Sequence, residues 1–583
     1  GEEEDGKKDR GGGGVGVEYG RDHKMYHVEP LSAENMLCIM TGPLTGTRIH
    51  MSGRLCVVTR SPLTGTVTDS HMGGWTAARL KWAGFDNLIF TGKSDKPVYL
   101  YVEDGKAELR DASHLWGRGV RATIDALKEK YGTDLSVMAI GPAGENQVLY
   151  ANWINEDDRS AGRGGTGAVA GYKYLKAIVI KASQKGNMPE AARPDEYPIA
   201  VKEGLTALME GALTKPKKGG LSVYGTNVLM NIINEIGALP TKNSSENSFA
   251  TADEIAGETV RNEIGVSDPT CHACPVACKI EVEVKEGKYK TRVESFEYES
   301  AWALGPNCGT SNKEAVAYLI NLCNEYGMDT IELGNTFSVA MEAYEKGLHQ
   351  DEINWGDVDT MIAWVDKIVR REQGIGNILA DGTARAAKAF GAPELAMVVK
   401  GQAIPAYDPR GIQGIGLGYA TSNRGACHLR GYTVASEVAG IPQPTDRTKP
   451  EGKGELLKTF QDLLAFSDSL DICKFSSFSE DAELYAKQYQ AVVGIDLTGD
   501  EVFKIGERIY NIERLFNNLA GFDGKDDTLP ERFLKEPATG NSAGLVSHLA
   551  QMLAEYYQVR GWKDGKVTQE KMKELDIEVE IGA

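Results

Sequence analysis

Three cysteines within eight residues constrain this chain more than any other feature of its sequence. Cys271, Cys274 and Cys278 form a CxxCxxxC run, and thiolates at this spacing can converge on one soft or borderline metal centre. Such a set is one ligand short of a tetrahedral site or of an iron–sulfur cube. The best candidate for the fourth ligand is Cys473, which ends the run Asp468-Ser-Leu-Asp-Ile-Cys473. The last third of the chain is therefore predicted to fold back against the middle.

Two other interpretations of these cysteines remain open. A single buried cysteine usually behaves as a small hydrophobic residue, but three at this spacing favour metal or cluster binding over unligated thiols. Zinc ribbons usually carry two close CxxC pairs, whereas this three-plus-one arrangement joins residues 271–278 to Cys473. The spacing therefore favours a 4Fe–4S cluster over zinc.

Composition and charge exclude several classes of protein. The 583 residues suffice for about two to four domains, and the net charge of −19 disfavours nucleic acid, which needs a basic surface. No apolar run approaches the roughly 18–20 residues of a membrane span, and residues 1–5 do not resemble the start of a signal peptide. Nine scattered cysteines, an odd number, favour a reducing compartment, for which the cytoplasm is the natural interpretation.

The pattern of strand and helix signals predicts an α+β protein of three domains. Short apolar runs bounded by Gly, Pro or Asp, at residues 55–59, 87–91, 98–102 and 177–180, predict a β-rich base domain over residues 1–187, with few helices, one of them near residues 121–131. Helical periodicity at residues 314–326, 336–346, 504–517 and 544–557 predicts mainly helical domains over residues 188–398 and 399–583. Residues 279–284 and 291–298 alternate like a hairpin, which would place Glu299 at the end of its second strand.

Two glycine-rich runs, residues 11–16 and 162–167, each satisfy GxGxxG. A dinucleotide fold requires this pattern directly after a strand and at the start of a helix. Charged residues precede both runs instead, so tight turns are the simpler interpretation.

Further motifs follow in a fixed order along nearly the whole chain from about residue 27. They are Thr41-Gly-Pro-Leu-Thr-Gly46, Arg60-Ser-Pro-Leu-Thr-Gly65, Ser160-Ala-Gly-Arg-Gly-Gly165, Glu299-Ser-Ala-Trp-Ala-Leu-Gly305, Ala406-Tyr-Asp-Pro-Arg-Gly411 and Asn423-Arg-Gly-Ala-Cys-His428. With the CxxCxxxC run, they resemble those of the tungsten-dependent aldehyde:ferredoxin oxidoreductase family. The resemblance implies oxidation of aldehydes to carboxylic acids, at a cofactor held where the β-rich domain meets the two helical domains.

The same resemblance implies the cofactors and the residues that bind them. It implies two pterins around one tungsten atom, a Mg²⁺ ion bridging the pterin phosphates, and a 4Fe–4S cluster on Cys271, Cys274, Cys278 and Cys473. Dithiolenes rather than side chains hold the metal, so molybdenum stays open as a substitute. Backbone N–H groups exposed by glycines can approach phosphates closely. The implied pterin-binding residues are Arg54, Gly73, Gly74, Arg159, Ser160, Gly162, Arg163, Gly164, Gly165, Asn324, Met328, Asp329, Arg430, Asp468, Ile472 and Cys473, with Lys173 as a further charge partner.

Three positions depart from the family pattern. His71 stands where the family uses a side-chain amide on Mg²⁺, beside a carbonyl at the position of Ser160; because Mg²⁺ prefers oxygen, His71 is predicted to bond a phosphate or water instead. In the two Asp-x-x-Gly-Leu-(Asp/Cys) pterin loops, Asn324 replaces an acid and Asp471 replaces a glycine. The hydrogen bonds to the pterins are therefore expected to differ in detail.

Glu299 and His428 match the family's active-site acid and histidine. A buried carboxylate with a raised pKa can activate water or accept a proton, and an imidazole can polarise a carbonyl oxygen. Without the family context, a surface ion pair and a core histidine would be the simpler interpretations. Tyr298 and Arg430 flank the two residues and are predicted to support them.

The resemblance also implies that electrons leave through the cluster to ferredoxin or a ferredoxin-like subunit. Such acceptors are acidic, so docking requires a local basic patch. A candidate patch follows the cysteine run and consists of Lys279, Lys285, Lys288, Lys290 and Arg292. A solvated hairpin face is an equally good interpretation of these residues. An iron-bridged dimer of the family uses Glu-x-x-His, where this chain has Tyr318-Leu-Ile-Asn321, so that iron is not expected and the oligomeric state stays open.

Two competing functions remain. One is a non-catalytic iron–sulfur or zinc subunit, which explains the cysteines but not Glu299, His428 and the pterin loops together. The other is a family relative with another low-potential reaction, such as reduction of an aromatic thioester, because fold does not dictate chemistry.

Overall fold

Two β-sheets form the base of the N-terminal region in the computed structural model. The structure describes residues 11–578, so the predictions for residues 1–10 lie outside the described residues. One sheet is antiparallel with strand order β3-β2-β1-β4; the other has the order β6-β5-β10-β7-β8-β9, with β5 and β10 parallel. The strands are β1 Leu37–Met40, β2 Leu55–Arg60, β3 Val67–Met72, β4 Asn87–Phe90, β5 Val98–Glu103, β6 Lys106–Asp111, β7 Leu135–Ala139, β8 Trp153–Asn155, β9 Ser160–Ala161 and β10 Leu175–Lys181.

Burial explains why these runs become strands. The neighbouring strands β7 and β10 are buried almost throughout, so their apolar side chains are covered on both faces, whereas the edge strand β6 is polar and mostly exposed. The four strands predicted in this region are confirmed. So is the helix near residues 121–131, which spans Val120–Tyr131.

The first glycine-rich run is not a tight turn, contrary to the prediction. Residues Gly12–Asp22 form a helix that lies directly on strand β2. An added Cβ at Gly16 would lie 2.7 Å from a methyl carbon of Val58, so the glycines allow a contact that larger residues would block. The second run does turn: Gly164 and Gly165 have φ of +92° and +74° before the helix Thr166–Tyr172.

The N-terminal and middle parts of the chain carry most of the shorter helices. Besides those already named, they are Thr76–Trp82, Pro142–Glu145, Tyr197–Glu210, Gly220–Tyr224, Leu229–Glu235, Gly257–Ile264, Tyr298–Leu304, Lys313–Tyr326, Thr330–Glu345, Val358–Val369, Ile375–Leu379 and Thr383–Ala389. The predicted helix at residues 336–346 begins six residues earlier because the side chain of Asp329 caps it, accepting a hydrogen bond from the Ile331 N–H at 2.9 Å.

The predicted hairpin after the cysteine run exists, but its second strand is shorter than expected. Strands β11 Gly265–Ser267, β12 Glu281–Val284 and β13 Thr291–Val293 form a three-stranded sheet. Beyond Val293 the alternating pattern does not continue as a strand, because Glu294 pairs with Lys279 and Glu297 pairs with Arg159. The prediction that Glu299 ends a strand is therefore wrong: it lies in the first turn of the helix Tyr298–Leu304.

The C-terminal part is mainly helical, which confirms the α+β fold class. Its helices are Gln413–Thr421, Val434–Glu437, Lys453–Ser469, Ala482–Val493, Gly499–Leu519, Glu531–Lys535, Leu549–Arg560 and Gln569–Glu574. Two short strand pairs accompany them: β14 Val398–Val399 pairs with β15 Gln402–Ala403, and β16 Trp562–Lys563 pairs with β17 Lys566–Val567. Thr498 and Glu501 form a capping box at the start of the predicted 504–517 helix. The helix predicted from residue 544 starts only at Leu549, because Gly544 has φ +85°. The division of the chain at residues 187 and 398 stays a prediction.

Two long helices bring Cys473 back towards the middle of the chain. The helix Lys453–Ser469 ends just before Cys473 and packs against the helix Gly499–Leu519. Gly506 makes the close approach possible, because an added Cβ there would lie 1.7 Å from the carbonyl oxygen of Asp462. Asp462 in turn forms a buried ion pair with Arg560 at 2.7 Å.

Replacing Gly506 with alanine is expected to destabilise the protein, because the two helices would have to move apart. Overpacking of this kind costs about 1–3 kcal/mol. The denaturation midpoint of the cofactor-loaded protein measures this loss. Gly418→Ala is a matched control, since Gly418 is also buried in a helix but its added Cβ would come no closer than 3.5 Å to a neighbour. Equal losses in both variants would contradict a special role for this contact.

Candidate active site

Backbone hydrogen bonds join three distant segments around one cavity. The N–H of Met51 donates to the carbonyl of Ala273 at 2.9 Å, and the carbonyl of Met51 accepts from the N–H of Cys473 at 3.0 Å. The N–H of Arg54 also donates to the carbonyl of Asp471 at 3.3 Å. The residues near Met51 therefore hold the cysteine run and the Cys473 loop side by side.

The four cysteines of the predicted cluster line this cavity together. Burial, together with the neighbouring Cys271 and Cys473, raises the pKa of the Cys274 thiol to about 12, and burial likewise raises the pKa of Cys278. Thiols that resist ionisation in this way become stable thiolates only when a cation lies among them.

The sulfur spacing bears on which metal could bind. Among residues 11–578, no three of these sulfurs lie within 4.8 Å of one another. A tetrahedral zinc with Zn–S bonds of about 2.3 Å needs sulfurs only about 3.8 Å apart. In the described structure the sulfurs are therefore farther apart than a single zinc site requires.

Two arginines of the cavity wall lie near the cysteine thiols. Nη2 of Arg159 lies 3.8 Å from the sulfur of Cys278, and its Nη1 pairs with Glu297. Arg54 lines the cavity within electrostatic range of Cys473 and Cys271. Arg159 thus contacts a sulfur directly, and Arg54 lies near enough to two of the cysteines to act on them electrostatically.

Glu299 and His428 face each other in the same cavity. Nε2 of His428 lies 3.4 Å from Oε1 of Glu299, whose Oε2 accepts a hydrogen bond from the N–H of Ala406 at 2.9 Å. Burial raises the pKa of Glu299 to about 8 and lowers that of His428 well below its usual range. Tyr298 supports the pair indirectly, since its hydroxyl donates to the Ala406 carbonyl at 2.7 Å.

Most of the predicted pterin-binding residues line the cavity, but not all. Those in its wall are Arg54, Gly73, Arg159, Ser160, Gly162, Arg163, Asn324, Met328, Asp329 and Cys473. The structure places six others behind that wall: Gly74, Gly164, Gly165, Arg430, Asp468 and Ile472. An added Cβ at Gly165 would meet the Leu149 carbonyl oxygen at 2.3 Å, so packing rather than ligand access explains that glycine.

Two predicted charge partners already have partners within the protein. Arg163 donates to Asp329 at 2.8 Å and to Glu332 at 3.2 Å. Lys173 points away from the cavity and donates to the carbonyls of Gly92 at 2.6 Å and Ala33 at 3.3 Å. The charge of Arg163 is therefore matched by carboxylates, and Lys173 directs its ammonium to backbone carbonyls instead of a phosphate.

Arg430 and Asp468 belong to a buried charge network rather than to the wall. Arg430 pairs with Asp69, Asp468 and Glu513, and Arg424 pairs with Asp69 at 3.1 Å. Asp69 and Arg424 line the cavity, whereas Arg430, Asp468 and Glu513 do not, so the network joins the wall to the start of the Asp468–Cys473 loop.

His71 and Asp471, two of the residues that differ from the family pattern, contact each other. Nδ1 of His71 lies 3.2 Å from Oδ1 of Asp471, and its Nε2 lies 3.1 Å from Oδ2 of Asp69. Asp471 has φ +54°, the left-handed conformation that suits the glycine it replaces and that Asp tolerates better than most residues. With both ring nitrogens against carboxylates, the pKa of His71 is held well above its usual range despite burial. Cys56, Asp69 and His71 each have a potential metal-ligating atom, and these three atoms lie within 4.8 Å of one another. They form the one such group among residues 11–578.

Several buried polar atoms of the cavity wall have no hydrogen-bond partner in the protein. Such atoms are costly unless a ligand satisfies them. They belong to Asn152, Arg159, His272, Glu299, Gln402, Arg424 and His428. This unpaired set fits a large polar ligand with both donors and acceptors, such as a pterin.

Sequence reasoning missed several residues of the wall. Tyr407 and Tyr432, whose hydroxyls lie 2.8 Å apart, and Lys474 all line the cavity. Tyr407 lies within the motif at residues 406–411, and Lys474 directly follows Cys473. Their position in or beside a motif is the sequence signal that could have identified them.

The predicted basic docking patch is wrong in part. Lys279 is only 1% exposed and pairs with Glu294 at 3.0 Å, so it cannot contact a partner. Lys288 pairs with Asp359 at 2.9 Å, and Arg292 pairs with Glu281. The hairpin's positive charges are largely matched by neighbouring acids. In the described part of the chain, none of the helices has the length and apolar character needed to span a bilayer.

Comparisons with known proteins agree with this fold and cavity. The family models of the aldehyde ferredoxin oxidoreductase N-terminal domain and of its domains 2 and 3 match residues 2–182 and 204–577. The chain therefore belongs to the aldehyde ferredoxin oxidoreductase family. The tungsten-containing aldehyde ferredoxin oxidoreductase of Pyrococcus furiosus is 43% identical over 562 residues, covering 94% of this chain and 91% of the relative. That of Thermococcus kodakarensis is 43% identical over 563 residues, with the same coverage.

A solved structure shares the fold at lower identity. It is the active site complex BamBC of benzoyl coenzyme A reductase with 1,5-dienoyl-CoA, with a TM-score of 0.84 and 26% identity, covering 98% of this chain and 94% of that one.

The contact between His71 and Asp471 predicts non-additive stability effects. His71→Asn leaves the Asp471 carboxylate buried without its partner, and Asp471→Gly leaves one side of the His71 ring without its acceptor. Each change is expected to cost stability, by about 3 kcal/mol in the worse case. The double variant should recover about 0.5–3 kcal/mol relative to the sum of the single changes, measured by denaturation in a double-mutant cycle. Strict additivity would show that the two residues act independently.

Proposed function

We propose that this protein oxidises aldehydes to carboxylic acids at a tungsten–bispterin centre and passes the electrons through a 4Fe–4S cluster to ferredoxin or a ferredoxin-like subunit. The observation that carries the proposal is the 3.4 Å approach of Glu299 and His428 inside the cavity that the four cysteines also line. The match at 43% identity to tungsten-containing aldehyde ferredoxin oxidoreductases supports aldehydes over other substrates. The presence of both Glu299 and His428 favours the same reaction over reduction of an aromatic thioester.

The cavity wall provides the groups that the cofactors need. Cys271, Cys274, Cys278 and Cys473 would hold the cluster, and the cavity-lining members of the predicted set would hold the pterins, with Arg54 and Arg159 between them. When bound, the tungsten centre would accept the two electrons that leave the aldehyde. The proposal includes a Mg²⁺ ion at the pterin phosphates, to which Ser160 would offer its carbonyl oxygen. His71 would not bind this ion, because Asp69 and Asp471 hold both of its ring nitrogens.

Glu299 and His428 would divide the proton chemistry. Oxidation of an aldehyde takes one oxygen atom from water and releases two electrons and two protons. Ionised Glu299 accepts a proton from that water, using Oε1, which has no hydrogen-bond partner in the protein. His428 is neutral, since its pKa is held low, so it can donate a single hydrogen bond to the aldehyde oxygen and polarise the carbonyl.

The cluster would give the electrons an exit. Cys473 closes the loop beside the buried charge network and also lies within electrostatic range of Cys274 and Cys278. One short covalent segment thus reaches both proposed redox centres. None of the nine cysteines, all of which lie among residues 11–578, forms a disulfide, so the four cluster candidates stay available as ligands.

Metal analysis tests the cofactor assignment directly. Anaerobically purified protein is expected to contain about four iron atoms and one tungsten or molybdenum atom per chain, with little zinc. Cys473→Ser should lose the cluster's visible absorption and its iron. Cys308→Ser is the matched control, because Cys308 is buried away from the cavity and donates to the carbonyls of Ala303 and Gly334, which a hydroxyl can also do. Zinc in place of iron would overturn the assignment.

The pH dependence of aldehyde oxidation tests the role of Glu299. Because the ionised form is the base and its pKa is about 8, kcat/KM should fall about tenfold per pH unit below pH 8 and level off above it. Glu299→Gln should lower kcat by about 10²–10⁴-fold and abolish this dependence.

Glu480→Gln provides the control for that measurement. Burial also raises the pKa of Glu480 to about 8, but its carboxylate accepts from Gln488 at 2.6 Å and lies outside the cavity wall. This variant should keep the wild-type profile. Activity retained in Glu299→Gln would remove the assignment of Glu299 as the base.

A further inference from the structure

Lys474 carries a buried positive charge into the cavity without an anionic partner. The residue begins the short 3₁₀ helix Lys474–Phe478 and is only 6% exposed. Among residues 11–578 its ammonium forms no hydrogen bond or ion pair; it lies 4.1 Å from the ring centroid of Tyr432 and 5.8 Å from that of Phe475. Aromatic faces offset only part of the cost of removing an ammonium from water.

Three other lysines with buried ammonium groups are neutralised by carboxylates, whereas buried Lys173 donates to backbone carbonyls. Lys400 pairs with Asp527 and Lys176 with Glu145, each at 2.9 Å, and Lys453 pairs with Glu437. Lys474 differs because it lines a cavity, so its partner can arrive from outside the chain.

The lysine lies close to the proposed reacting groups. The Tyr432 ring contacts the ammonium on one side, and its centroid lies 6.1 Å from that of the His428 ring. The charge of Lys474 acts on both His428 and Glu299. A molecule whose carbonyl lies beside Glu299 and His428 can therefore extend towards Lys474.

The surroundings of the ammonium strengthen its attraction for an anion. Phe478 stacks on Phe475 with ring centroids 5.7 Å apart and lies 6.1 Å from Tyr432. These rings form an apolar wall, and an ion pair formed beside such a wall is screened far less than one in water.

We propose that Lys474 binds a second, anionic group on the aldehyde substrate, so that the protein prefers aldehydes that also carry a carboxylate, phosphate or sulfonate. This inference rests on the proposed aldehyde oxidation and adds the class of substrate. The aldehyde group lies at Glu299 and His428, and the anion forms a charge-assisted hydrogen bond with the ammonium.

Three aldehydes of equal chain length test this preference, one ending in a methyl group, one in a carboxylate and one in a phosphate. The wild-type protein should show kcat/KM about 10- to 100-fold higher for at least one anionic aldehyde than for the neutral one. Lys474→Met, which keeps most of the side-chain length but removes the charge, should bring the ratio of kcat/KM between the anionic and the neutral aldehydes close to one. Lys474→Arg should keep much of it. The carboxylate and phosphate arms identify which anion the site takes.

A binding measurement keeps the test independent of turnover. Calorimetry on the cofactor-loaded protein should show that a dicarboxylate binds about 10- to 100-fold more tightly than a monocarboxylate of equal length, and that Lys474→Met removes the difference. Lys525→Met is the control, because Lys525 is exposed and pairs with Asp526 at 3.2 Å. If no aldehyde reacts although the metals are present, the proposed function fails while calorimetry still decides the role of Lys474.

Two results would overturn the inference. One is an equal loss for neutral and anionic aldehydes in Lys474→Met, which would mean a general role in folding or chemistry. The other is unchanged selectivity with a shifted midpoint potential of the cluster, which would mean that the ammonium instead balances the charge beside Cys473.

Discussion

The backbone of Met51 holds the site together. Its N–H and carbonyl bind Ala273 and Cys473, two residues far apart in the chain, and it adopts φ +63° to do so. A left-handed conformation costs a residue with a side chain about 1 kcal/mol or more, so it persists where both of its peptide groups have fixed partners. The two cysteine-bearing loops face one cavity because this short segment of the β-rich region lies between them.

The two sides of the cavity wall differ in their electrostatics. On the outer side, Arg430 is surrounded by Asp69, Asp468 and Glu513, so the buried charges there are matched by protein groups. On the inner side, polar atoms of residues such as Arg424 and His428 have no protein partner. A rigid, fully paired support behind an unpaired lining is what a preorganised ligand site requires, because the unpaired groups cannot turn to other partners.

The position of Glu299 shows which of two opposing effects is stronger. The first turn of a helix favours the ionised form of a carboxylate, and the Ala406 N–H favours it further. Burial acts in the opposite direction and is stronger, since the pKa rises to about 8. The pKa of the Glu299 carboxyl is thereby kept close to the pH at which proton transfer is most effective, while the nearby His428 is kept neutral.

The sequence by itself determined local features: several strands of the base, the helices near residues 314–326 and 504–517, and the cysteine run with Cys473. These follow from spacing and periodicity, which adjacent residues carry, whereas Glu299 and His428 were identified through the motifs that resemble the family. Only the tertiary structure decided that Glu299 lies on a helix, that Lys279 is buried, that His71 meets Asp471 and that the ammonium of Lys474 forms no ion pair with any residue of 11–578. Each of these depends on which distant side chain fills the space beside a residue, and burial and ion pairing across such contacts outweigh the local pattern.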